Sequence, residues 1–223
     1  MQDSETNTQT REKPPGGQAE GFPGRWLGER GLRLTAGAST LSLYETLKSG
    51  AFEELEDIIP ADGSILLVFR PGAEPSGALL GALRAGVAPR AAGVGERHEL
   101  RVQYGGAAGP DLVALARRAG LHPDDYIKGH AAVEYRVAFL GFQPGFPYLS
   151  GVLPALQAPR RDTPRTRVVA GSVAVGGAYT GIYPATGPGG WQLIGRTDAT
   201  LFDPQRDPPC LLKPGDRVRF VPA

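Results

Sequence analysis

Residues 133–151 read VEYRVAFLGFQPGFPYLSG, an apolar run that passes into a Gly/Pro/aromatic stretch, and after its first residue no helix of useful length can be placed. Residues 133–140 have the length and the Val, Tyr and Phe content of a short strand. Residues 168–175, 191–194 and 217–221 read the same way between Gly/Pro turns. Several short strands with so little helix among them point to a closed or nearly closed barrel. Working back along the chain, His98, Leu100, Val102 and Tyr104 alternate with Glu99, Arg101 and Gln103, the period of a strand with one buried face. A short helix follows, opened by Pro110-Asp111, lined by Leu112, Leu115 and Ala119 and closed by Gly120. Pro123 starts a second helical turn, with Asp124 and Asp125 favouring the positive end of its dipole.

The first half of the chain has a different rhythm. Ser39 and Thr40 are good caps for a helix bearing Leu41, Leu43, Tyr44 and Leu47, with Gly50 just past its end. Leu55, Ile58 and Ile59 form an apolar run stopped by Pro60; Asp62-Gly63 is a turn signal, and residues 64–69 (SILLVF) read as a buried strand. Pro75 suits the first turn of another helix, carrying Leu79, Leu80 and Leu83 and ended by Gly86. Helices interleaved with strands predict a small α+β sandwich. The expected order is a disordered polar tail over residues 1–20, an α+β domain over 21–96 and a β-barrel domain over 97–223.

Composition narrows the function. The 24 Lys and Arg against 23 Asp and Glu leave a formal charge of +1, which gives no electrostatic case for nucleic acid or an anionic membrane. The 32 glycines and 21 prolines fit a chain of many tight turns. No apolar run is long enough to span a bilayer and the first twenty residues lack the apolar core of a signal peptide, so the cytoplasm is the expected location. Cys210 has no partner for a disulfide, and with three histidines no metal site is expected. None of Lys13, Lys48, Lys128 and Lys213 sits in a P-loop, and GxSxG, HExxH and a complete GxGxxG are missing.

Four features carry chemistry. His130, between Gly129 and a run of small residues, stands at the mouth of the 133–140 strand, where it can act as a general base or bind a carboxylate; a ring that satisfies local backbone groups is the alternative. Phe142, Phe146 and Tyr148 alternate with Gly and Pro, so a stiff, bent backbone displays large rings. A strand built only for packing avoids internal proline, whereas aromatics on rigid turns line a pocket or an interface, unless they plug a wide barrel corner. In APRRDTPRTR (residues 158–167), Arg160, Arg161, Arg165 and Arg167 surround one acid, Asp162, an arrangement suited to capture of carboxylate or phosphate or to a solvated basic loop. In GPGGWQLIGRT (residues 187–197) two glycines precede Trp191 and let backbone approach a ligand closely before Arg196, or else form a tight hairpin anchored by a buried Trp.

GFQPGFPYLSG, PRRDTPR, AGSVAVGG, TGIYP, GPGGWQLIGRT, LFDP and PGDRVRF, in this order, with VQYGGAAGPDL (residues 102–112) and His130 upstream, resemble the allophanate hydrolase subunit 1 family across about residues 22–222. That family includes the B-type subunits of 5-oxoprolinase, KipI-type inhibitors of a sporulation histidine kinase and a carboxyltransferase segment of urea carboxylases. The resemblance implies a ferredoxin-like N-terminal domain followed by a cyclophilin-like β-barrel. It implies ATP-dependent opening of 5-oxoproline to glutamate, with ATP bound together with partner chains. Those partners are a subunit-2 type protein (the C-type chain of 5-oxoprolinase) and an A-type chain. A KipI-like kinase inhibitor or a urea/allophanate carboxyltransferase component are its other implied functions. Carried over by position, it marks His130 as catalytic and Phe142, Phe146, Tyr148, Arg160, Arg161, Arg165, Ser172, Tyr183, Trp191 and Arg196 as substrate-binding, with Pro144 and Thr180 beside them. Val169, Ala178-Tyr179 and Asp198 depart from the family's usual pattern at the border of the expected pocket.

Overall fold

The computed structural model describes residues 24–85 and 95–223, so the expected tail over residues 1–20 and the helix stop at Gly86 lie outside the described residues. Strands β1 (Gly24–Leu27) and β2 (Gly31–Thr35) form a hairpin, followed by helix α1 (Thr40–Ser49), strands β3 (Leu55–Ala61) and β4 (Ser64–Phe69) and helix α2 (Gly77–Arg84). The sheet is antiparallel in the order β1-β2-β4-β3. Leu43 and Leu47 of α1 and Leu79 and Leu83 of α2 pack against Leu34, Ile65, Leu67 and Phe69 as one core. Pro60 does not stop β3, as its sequence suggests, but lies within it. The strand is at the sheet edge, where a residue without an N–H leaves no ladder bond unmade. Ser76, rather than Pro75, begins the second helix: its hydroxyl accepts from Leu79 N–H at 3.1 Å.

Beyond this unit, β5 (Arg97–Tyr104), β6 (Glu134–Leu140), β7 (Pro147–Ser150), β9 (Ser172–Gly176), β10 (Tyr179–Ile182), β12 (Gln192–Arg196) and β13 (Arg217–Pro222) close a seven-stranded barrel in the order β10-β7-β6-β13-β5-β12-β9. All pairs are antiparallel except β13 with β5. The run at residues 168–175, expected as one strand, is two. A left-handed turn at Gly171 (φ +81°) separates β8 (Arg165–Val168) from β9, and β8 pairs with β11 (Gly187–Gly189) as a separate ribbon.

The barrel core is formed by Val102, Tyr135, Val137, Leu149, Val173, Val175, Ile182, Ile194, Val218 and Phe220, and helices α3 (Leu112–Arg118) and α4 (Pro123–Ala131) add Leu115, Ala116 and Tyr126 to it. All five residues of β9 are buried, because Val173 and Val175 face the interior while Ala174 faces a second, aromatic cluster outside the barrel. That outer cluster is what positions the candidate site. Among the described residues no helix is long and apolar enough to cross a membrane.

Candidate ligand pocket on the outer face of the barrel

Small residues on the barrel make the floor on which large rings rest. A Cβ on Gly176 would lie 2.4 Å from the indole of Trp191, and one on Gly181 3.0 Å from the ring of Phe146. With Ala174 between them, these positions let Phe146, Trp191 and Tyr183 lie close against strands β9 and β10. The rings meet edge to face: Phe146 is 5.4 Å from Trp191 and 5.2 Å from Tyr183, and Tyr148 is 5.5 Å from Trp191. Of the two glycines before Trp191, Gly189 serves the same packing: a Cβ there would stand 2.4 Å from the Tyr183 hydroxyl, whereas one on Gly190 would meet Pro164 at an ordinary contact of 3.6 Å. The close backbone approach expected for a ligand is thus made to the protein's own side chains.

Above the floor is a cavity of about 260 Å³ lined by Phe142, Phe146, Tyr148, Tyr183, Trp191, Arg160 and Arg161, with backbone from Pro188 to Gly190. The aromatic stretch and the arginine loop are therefore two walls of one pocket. Phe142 is 59% exposed and holds a left-handed backbone (φ +67°), a conformation that is rare and costly for a bulky residue. The turn is tied by Phe146 N–H donating to Gln143 O at 3.0 Å, and it presents the Phe142 ring edge-on to Phe146 at 5.5 Å. Arg160 carries its guanidinium over the Trp191 ring at 5.7 Å. Burial raises the Tyr183 hydroxyl pKa; the Trp191 backbone and the charges of Arg160 and Arg165 oppose the shift. Neither an imidazole nor a carboxylate is among the residues that line this cavity.

The arginine loop is held by an acid that the sequence marks only as a helix start. Asp111 is buried; its Oδ1 accepts from Arg165 at 2.7 Å and stands 3.5 Å from Arg161, while its Oδ2 accepts from Leu193 N–H at 2.7 Å. Arg165 is therefore a strut rather than a wall, and it does not line the cavity. The sequence signal for Asp111 is indirect: four arginines surround one local acid, an imbalance that calls for a distant carboxylate.

His130 is placed differently from its sequence reading. It lies in the last turn of α4, not at a strand mouth, and its side chain is completely buried inside the barrel. Nδ1 is 2.8 Å from the Tyr104 hydroxyl and Nε2 is 3.0 Å from Thr180 Oγ1. Thr180 spends its own proton on Ala174 O at 2.9 Å, so it accepts from Nε2–H, and Nδ1 accepts from Tyr104. The imidazole stacks on Phe220 at 4.9 Å, and burial holds its pKa down to about 3. Such a neutral, fully bonded ring is not within the aromatic cavity. Ser172 and Arg196 also lie outside that cavity and line a neighbouring one together.

Comparison with known proteins identifies the family. Residues 26–212 match the family model described as carboxyltransferase domain, subdomain C and D. The chain is 58% identical to the 5-oxoprolinase B subunit of Escherichia coli O157:H7 over 124 residues, which are 56% of this chain and 57% of that protein. It is 50% identical to the 5-oxoprolinase B subunit of Bacillus subtilis (strain 168) over 123 residues, 55% of this chain and 51% of that one. The matches thus span little more than half the length of these relatives. The crystal structure of TTHA0988 superposes with a TM-score of 0.74 at 40% identity, covering 87% of this chain and 40% of the other.

Proposed function

Since the chain belongs to the family of carboxyltransferase-domain subdomains C and D, we propose that it is the B-type subunit of an ATP-dependent 5-oxoprolinase and that the aromatic cavity holds the cyclic amide. One observation carries this reading: the cavity has cationic and aromatic walls with no carboxylate or imidazole among its lining residues. Such a site binds and orients a small, flat, anionic ligand but holds no side chain that is a ready base near neutral pH, its only hydroxyls being the phenols of Tyr148 and Tyr183. In this reading Arg160 and Arg161 take the substrate carboxylate, Trp191, Phe146 and Tyr148 enclose the ring, and Phe142 closes the outer edge. The names and identities of the relatives support the reaction. We also read the N-terminal unit as ferredoxin-like, on the strength of its sheet order, with β1 at the edge beside β2, and the barrel as cyclophilin-like.

ATP, held by the complex, would supply a phosphoryl group to the amide carbonyl oxygen with release of ADP; water would then add at that carbon, the ring C–N bond would break with the proton going to nitrogen, and inorganic phosphate would be released. Two guanidinium groups, one of them shared with Asp111, suit one carboxylate better than a triphosphate, so the nucleotide falls to the C-type and A-type partners. Among the described residues no three His, Cys, Asp or Glu side chains converge as metal ligands. The acid–base group comes from a partner that covers the exposed Phe142 rim. The chain of TTHA0988, of which this protein covers 40%, has room for such a second unit in one polypeptide.

The test is co-purification of the chain with its C-type and A-type partners, followed by measurement of glutamate release from 5-oxoproline with and without ATP. The reading requires ATP-dependent release from the complex and none from the chain alone. Full turnover by the partners without this chain overturns it. Dependence of activity on a biotin-bearing partner would transfer the same cavity to carboxyl transfer, the function named in the family's description.

A further inference from the structure

Farther along the same outer face is a second cavity, of about 330 Å³, lined by Gln103, Ser172, Arg196 and the loop through Gly105, Gly106, Ala107 and Ala108. The barrel builds its polar row with a bulge. Strand β12 lies between β9 and β5, and Arg196 is the register partner of Ser172 on one side and of Gln103 on the other. Residues directly opposite one another across strands share a face. The register of β12 shifts between Leu193 and Gly195, so Ile194 goes to the barrel core and Arg196 emerges on the outer face beside Ser172. Gly195 is needed at the bulge: a Cβ there would lie 2.7 Å from Val102 and 2.8 Å from Gln103 O.

The groups on this row have no work within the protein. Ser172 is only 3% exposed, yet among the described residues its hydroxyl makes no hydrogen bond, and the Arg196 guanidinium has neither an ion pair nor a hydrogen bond. The loop above them is pinned at both ends. Gly105 N–H donates to Ile194 O at 3.0 Å, Gly109 N–H to Gly105 O at 2.8 Å and Asp111 N–H to Leu193 O at 3.0 Å. Between the pins, the amides of Gly106, Ala107 and Ala108 donate to no acceptor among the described residues. Left-handed glycines at 105 (φ +70°) and 106 (φ +53°) shape the turn that exposes them. Arg196 is the one charged group among the residues lining the cavity. A guanidinium, a hydroxyl and free amides around one space, with no carboxylate, match the acceptor oxygens of an oxyanion.

We propose that this cavity is an oxyanion-binding site for the phosphate or carboxylate end of a small ligand, distinct from the aromatic pocket. It stands whichever reaction the chain serves, because binding is read on the full chain without turnover. The test is an amide-resolved NMR titration with inorganic phosphate and, separately, with L-glutamate. The expected result is saturable shifts at residues 106–108 and at Ser172 with either anion, the Trp191 indole signal staying in place in the phosphate titration. Arg196→Gln weakens that binding by about tenfold or more, and Ser172→Ala weakens it less. Stronger binding of phosphate assigns the site to a phosphate group; stronger binding of glutamate assigns it to a carboxylate. The proposal is overturned if neither anion gives saturable shifts at the loop, or if Arg196→Gln binds as well as the parent protein.

Discussion

Replacing His130 by glutamine changes how stability depends on pH, and the size of the change follows from where the imidazole sits. The ring is wholly buried, accepts from Tyr104 at 2.8 Å and donates toward Thr180 at 3.0 Å, and it stays neutral in the fold down to a pKa of about 3. In the unfolded chain a histidine takes up its proton below about pH 6.5. Between these two values the unfolded state binds one more proton than the folded state, so stability rises with pH there. The contribution is complete above about pH 6.5 and is lost as the pH falls, by about 1.4 kcal/mol per pH unit. From neutral pH down to about pH 4 the single residue therefore removes roughly 3 kcal/mol. Urea unfolding of both proteins at neutral pH and near pH 4 isolates this term, because the carboxylates titrate in both. At neutral pH His130→Gln is the less stable, having lost at least one buried hydrogen bond worth about 1 kcal/mol or more. Its loss on acidification should be smaller than the parent's by about 3 kcal/mol. Equal losses in the two proteins would refute the reasoning, since the imidazole would then be protonated within the fold.

Other expectations concern the pocket and its supports. Asp111→Asn leaves Arg165 without its buried counter-charge and should cost about 2–4 kcal/mol in chemical denaturation, with the arginine loop exchanging amide hydrogens faster. Gly176→Ala drives a methyl to 2.4 Å from the Trp191 indole and should lower stability by about 1–3 kcal/mol and shift Trp191 emission. Phe142→Gly removes a left-handed strain of about 1 kcal/mol from a side chain that is 59% exposed, so it should fold as stably as the parent or more so while binding 5-oxoproline more weakly. Unchanged affinity in that variant would remove Phe142 from the site.

The fold is legible in the sequence wherever a local rule has no competitor. The alternation at His98, Leu100, Val102 and Tyr104 is β5, and the SILLVF run is the buried strand β4. Reading fails where the rule needs a partner. Pro60 ends a strand only when its neighbours demand its N–H, and an edge position makes no such demand. Residues 168–175 read locally as one extended run, and the left-handed turn at Gly171 together with the pairing of β8 with β11 splits them. The pocket's two walls are visible as rings on stiff turns and as clustered arginines, because those patterns are odd for packing alone. Its floor is not: Ala174 falls in an expected strand, and nothing local in it, Gly176 or Gly181 marks the rings that lie on them. The sequence neighbours of His130 suggest a strand mouth, whereas its role is set by Tyr104 and Thr180, which are 26 and 50 residues away.

The most direct measurement of the central claim is the dependence of turnover on 5-oxoproline and on ATP in the reconstituted complex carrying Arg160→Ala with Arg161→Ala. If the aromatic cavity holds the substrate carboxylate, the KM for 5-oxoproline rises by about tenfold or more while the KM for ATP stays where it was. An unchanged KM for 5-oxoproline, or a rise in the KM for ATP alone, would contradict the account.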